Sequence, residues 1–120
     1  EFEMLWGNLK AQESVTFWST SFIRGTTLDN SIVIVDESQN LNFHELDSII
    51  TRVGEDTKIM FCGDVAQTDL IKTNEKNGIL DFQKIITRMP EFDLIEFDMD
   101  DIVRSGLVKS YITSKIELGM

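Results

Sequence analysis

The stretch Ser31-Ile-Val-Ile-Val-Asp-Glu-Ser-Gln-Asn40 limits the possible folds more than any other part of the chain. Four consecutive β-branched residues, Ile32 to Val35, run directly into the carboxylates Asp36 and Glu37. An unbroken β-branched run suits a strand covered on both faces, as in a parallel sheet. Acidic groups at the carboxyl end of such a strand stand where open α/β sheets bind ligands. The arrangement recurs once, in Lys58-Ile-Met-Phe-Cys-Gly-Asp-Val-Ala-Gln67. Two strands that deliver Asp36, Glu37, Asp64 and Gln67 towards one edge form the pattern of a nucleotide and magnesium site.

Length and charge narrow the classes. A chain of 120 residues is one domain or part of one, and a hydrophobic fraction of 42% is enough for a core. Net charge is -10, which disfavours nonspecific contact with nucleic-acid phosphates. A single cysteine, Cys62, excludes an internal disulfide and fits a reducing compartment, so a cytoplasmic location is expected. No apolar run reaches membrane-spanning length. The chain begins at Glu1, as a processed or excised product would.

Along the chain, Met4, Leu5, Trp6 and Leu9 have helical spacing. Val15–Trp18 reads as a strand, and residues 19–30 as a loop or short helix. The Ile32–Val35 strand leads to a helix capped by Asn42, with Glu45 in capping-box position and Gly54 as its C-cap. Lys58–Cys62 is a strand and residues 65–77 a loop. Ile79, Phe82, Ile85, Ile86 and Met89 mark a helix stopped by Pro90. Phe92–Phe97 reads as a strand. Asp100 or Asp101 opens a last helix, in which Gly106 costs about 1 kcal/mol relative to Ala and suggests a close neighbour. Alternating strands and helices imply an α/β, mostly parallel sheet flanked by helices.

The order of these pieces resembles the C-terminal half of a PhoH-like ATPase, related to the first motor domain of superfamily 1 helicases. The matching segments are Phe22–Leu28, Ile34–Asn40, Thr51–Gly54, Cys62–Leu70 and Asp101–Val108, within roughly residues 15–115. Ser38 stands where that family usually has Ala, and Asn77-Gly-Ile-Leu80 is a loose version of its Ser-Gly-Leu segment. Gly-x-x-x-x-Gly-Lys-[Ser/Thr], the loop that cradles the phosphates, does not occur. The resemblance therefore implies a partial P-loop NTPase (RecA-like) fold, residues 1–120 forming one partial domain without the Walker A segment.

The resemblance also implies roles. Asp36, in the Walker B position, holds Mg²⁺ largely through water, and Glu37 polarises the attacking water. Gln67 senses the γ-phosphate of ATP, and Asp64 organises its turn. Arg104 neutralises charge on the leaving phosphates, with Arg24 and Arg52 as weaker candidates. The implied partners are ATP, RNA or single-stranded DNA as a second ligand, and further copies of the protein; a membrane is not among them.

Other readings use the same residues. Asp36 and Glu37 suit a helix cap or a solvated turn, and Asp64 and Gln67 suit an ordinary turn. Arg104 suits a surface pair with Asp100 or Asp101, and Arg24 and Arg52 suit structural ion pairs. His44 reads as a surface residue and Cys62 as buried packing. A metal-dependent nuclease would use Asp36, Glu37 and Asp64 as ligands. A non-enzymatic module would present the acidic stretch 91–101 to a basic partner.

Overall fold

The computed structural model describes residues 2–23, 25–64 and 77–119. It divides into two units, residues 1–88 and residues 89–120. The architecture is α/β, with a parallel sheet and flanking helices, as the strand–helix alternation implies.

In the first unit, helix α1 spans Phe2–Ala11, strand β1 Ile32–Val35, helix α2 Phe43–Ile50, strand β2 Lys58–Phe61 and helix α3 Asn77–Ile86. β1 and β2 pair in parallel, Ile32 opposite Lys58 and Val35 opposite Phe61. A parallel bridge between Leu28 and Val53 extends the pairing towards the amino ends. α2 is the crossover that parallel strands require. Its start follows from the sequence. Asn42 Oδ1 accepts the N–H of Glu45, and Glu45 Oε2 accepts the N–H of Asn42, both at 2.9 Å.

The core lies between one face of the sheet and the two helices. Leu46 and Ile49 of α2 are 0% and 1% exposed. Ile49 joins Ile23 and Val35, with Val33, Ile59 and Phe61 against them. Leu46 joins Ile79 and Phe82 of α3. Burying each such side chain contributes about 1.5–3 kcal/mol. The Phe61 and Phe82 rings meet edge-on, centroids 4.7 Å apart, which ties α3 to the strand that carries the second acidic turn.

Several expectations fail, each for an identifiable reason. β1 is not covered on both faces: Ile32 and Ile34 are 70% and 63% exposed. A β-branched run specifies a strand but does not supply the layer that covers it. Val15–Trp18 and Phe92–Phe97 are not strands: an apolar run needs a ladder partner to become one, and neither segment joins the β-ladder among the described residues. Phe17 instead sets its ring edge-on to Trp6 of α1, with Lys10 over both rings. Gly54 does not cap α2, which ends at Ile50 with Thr51 as its C-cap. It lies where an added Cβ would fall 1.8 Å from Asp29 Oδ1, the atom that accepts the N–H of Glu55. α3 ends at Ile86, before Met89 and Pro90. The loop expected over residues 65–77 falls almost wholly outside the described residues.

The second unit contains a 3₁₀ turn, Met99–Asp101, and helix α4, Gly106–Glu117. Asp100 and Asp101 belong to the turn and do not open the helix. Asp98 Oδ1 accepts the N–H of Asp100, and Asp101 Oδ2 accepts the N–H of Asp98, both at 2.8 Å. Gly106 is the first residue of α4, and a Cβ there would meet nothing within 4 Å. The expected close neighbour is absent among the described residues.

Candidate functional site

The site begins where β1 stops. Asp36 and Glu37 form a turn, and a 3₁₀ segment, Ser38–Asn40, follows. Glu37 has φ 51, the left-handed region, which is uncommon for a residue with a Cβ. Asp36 Oδ1 accepts the N–H of Glu37 at 3.0 Å, so the first acid bonds to the backbone of the second. Both acids are exposed. The chain reverses here and is held to the end of β2.

Four hydrogen bonds make that connection. Cys62 N–H donates to the Val35 carbonyl at 2.8 Å, continuing the ladder. Ser38 donates to the Cys62 carbonyl twice, from its N–H and from its hydroxyl, each at 2.9 Å. Gln39 Oε1 accepts the N–H of Asp64 at 3.2 Å, while Gln39 Nε2 donates to Glu37 Oε2 at 2.5 Å. Ser38 and Gln39 are the buried polar residues of the turn, 2% and 8% exposed. Gly63 leaves room for them: a Cβ there would fall 2.6 Å from Gln39 Oε1 and 2.7 Å from Ser38 Oγ.

The structure thus brings Asp36, Glu37 and the Asp64 turn together at the carboxyl ends of two parallel strands. Arg104 belongs to the second unit, is exposed in the loop ahead of α4, and has no ion-pair partner among the described residues. The surface pair with Asp100 or Asp101 is not formed. Gln67 and Arg24 lie outside the described residues. Arg52 follows α2 at the amino end of the strand pair, beside the Leu28–Val53 bridge, and not at the acidic end. Its Nε is buried without a hydrogen-bond partner, so the ion pair expected of it is also absent among the described residues. Cys62 is exposed rather than packed, because the strand ends at Phe61. His44 is exposed and lines a shallow polar cleft with Thr20, Ser21, Glu45 and Ser48.

The donor set suits a cation that keeps most of its water. Among the described residues no three acidic, His or Cys side chains gather to hold a metal by themselves. The three-carboxylate cluster that a nuclease would build from Asp36, Glu37 and Asp64 is therefore not formed. Mg²⁺ is commonly held by one or two carboxylates together with substrate phosphates and water, and Asp36 fits that role. Gln39 was not among the residues singled out by sequence, and Ser38 was noted only as standing where the resembled family usually has Ala. Their roles depend on a contact with residues about 25 positions later, which no local pattern announces.

The chain is similar in sequence to known proteins. The family model described as PhoH-like protein matches residues 5–115. The chain is 36% identical over 92 residues to the PhoH-like protein of Bacillus subtilis (strain 168), covering 77% of this chain and 28% of that protein. It is 31% identical over 87 residues to Protein PhoH of Escherichia coli (strain K12), covering 72% and 24%. It is 41% identical over 56 residues to Protein PhoH2 of Bacillus subtilis (strain 168), covering 47% and 13%. The chain spans 28% of the length of the Bacillus subtilis PhoH-like protein and 24% of Protein PhoH. A match over residues 5–115, with the acidic turn inside it, makes the chain a member of the PhoH-like protein family.

Proposed function

We propose that this chain supplies the hydrolytic acids of a magnesium-dependent ATPase. The observation that carries the proposal is the cross-strand turn: Asp36 and Glu37 leave β1 exposed, and Ser38 and Gln39 anchor their backbone to the end of β2. Phosphoryl transfer needs positioned charge more than covalent chemistry, and a rigid turn that presents two carboxylates provides it. Mg²⁺, when bound, neutralises charge on the phosphates. Asp36 would hold it, mainly through water. Glu37 would orient the attacking water and take its proton. Asp64 would fix the neighbouring turn, and Gln67 would meet the γ-phosphate. The phosphate cradle is not in this sequence, so the 120-residue chain alone is expected to bind ATP weakly and turn over none.

The experiment is the ATPase rate of the full-length protein. Glu37→Gln keeps the shape and removes the charge. It is expected to lower kcat by about 10²-fold or more while nucleotide binding persists. Asp36→Asn is expected to weaken Mg²⁺-dependent binding. A near-normal rate in Glu37→Gln would reject Glu37 as the water-activating group. Submillimolar ATP affinity of the isolated chain would reject the half-site reading.

A further inference from the structure

We propose that Gln39 is a positioning residue that fixes the Glu37 carboxylate and couples it to the Gly63-Asp64 turn; the proposal rests on the ATPase reading above. Glu37 is exposed, and a free glutamate side chain samples several rotamers. A group that orients water needs one geometry. Gln39 provides a fixed point. It is 8% exposed, two residues from Glu37, and its Nε2 donates to Glu37 Oε2. The other end of the same amide accepts the N–H of Asp64.

Few side chains can occupy this position. One end must donate to a carboxylate, and the other must accept from a backbone N–H. A primary amide of glutamine length does both. Glutamate would set two carboxylates against each other, and methionine would fill the space without strong bonds. The amide orientation follows from its partners, because the Asp64 N–H requires the oxygen on that side. Gly63 completes the device, since any Cβ there would press on Gln39 Oε1. Movement of the Gly63-Asp64 turn, which in sequence leads to Gln67, would then pull on the amide and reorient Glu37. The other acid in contact, Asp36, bonds to the Glu37 backbone, accepting its N–H.

The test uses the full-length protein. Gln39→Met is expected to lower kcat by about 10- to 100-fold, the scale for partners that orient a reacting group, with the KM for ATP nearly unchanged. Gln39→Glu should lose at least as much. A kcat for Gln39→Met within about twofold of the parent would overturn the proposal. A second readout does not depend on whether these variants fold. In protein labelled with ¹⁵N-glutamine, the Gln39 side-chain amide should carry one downfield proton that moves upfield in Glu37→Ala. An amide resonance that ignores Glu37 would overturn the proposal as well. The two readings fail separately. No ATP hydrolysis by the parent protein rejects the ATPase reading, and full activity in Glu37→Gln rejects Glu37 as the water-activating group, whatever Gln39 does. Inactive Glu37→Gln beside fully active Gln39→Met rejects the positioning role alone.

Discussion

Ser38 gives both its backbone N–H and its hydroxyl to one acceptor, the carbonyl oxygen of Cys62, each at 2.9 Å. The hydroxyl bond is part-buried, while the backbone bond does not depend on the hydroxyl. Ser38→Ala should therefore cost about 0.5–1.5 kcal/mol, the usual net worth of one hydrogen bond. Urea denaturation measures it, with a shifted midpoint and an unchanged slope. No change in midpoint would mean that the hydroxyl contributes nothing beyond the backbone bond.

Gly63→Ala should be worse than its size suggests. The new methyl group would lie 2.6 Å from Gln39 Oε1 and 3.1 Å from the Gln39 backbone nitrogen. The side-chain oxygen can move, but the backbone yields less. Overpacking of this kind costs about 1–3 kcal/mol. Activity should fall further than stability predicts, because the displaced amide holds Glu37. The check is kcat beside a denaturation midpoint; parent-like values of both would show that the turn relaxes freely.

The parts legible in sequence were those set by neighbours in the chain. β1 follows from Ile32–Val35, and the start of α2 follows from Asn42 and Glu45. The position of the acids at a strand end follows from the same run. Parts that depend on distant partners were not legible. Phe92–Phe97 has the apolar content of a strand but joins no ladder among the described residues. Arg52 lies at the amino end of the sheet because of the bridge between Leu28 and Val53. Gln39 is the clearest case. Two residues after an acid pair, a glutamine looks like any polar turn residue until Asp64 arrives beside it.

Gly106→Ala should stabilise the second unit. The residue opens α4 with free space where a side chain would go. Removing glycine from a helix without a clash is worth up to about 1 kcal/mol. Thermal denaturation should show a higher midpoint. A lower midpoint would mean that the position is covered in the full-length protein.

Arg104 makes no ion pair among the described residues, so its stability contribution should be small. Arg104→Ala should change stability by less than about 0.5 kcal/mol, as exposed substitutions usually do. If it meets phosphate, loss of the guanidinium should lower the rate by about 10³- to 10⁵-fold, and Arg104→Lys should not restore it. ATPase assays of both variants decide this, with circular dichroism as the folding control. Mixing inactive Arg104→Ala with inactive Glu37→Gln should recover activity if the arginine acts across subunits. Full activity in Arg104→Ala alone would remove it from the site.

The parallel register also orders events in time. Ser31 and Thr57, which meet at the amino end of the strand pair, are 26 residues apart, and each link from the acidic turn to the end of β2 spans a comparable length. A hairpin can close as it is made, but this pairing must wait for the whole crossover, and loop closure delays it further. On a ribosome, Asp36 and Glu37 emerge well before Cys62, Gly63 and Asp64. Until those residues follow, the two acids sit on a turn without an anchor. Assembly of the acidic turn is therefore completed only when β2 has docked.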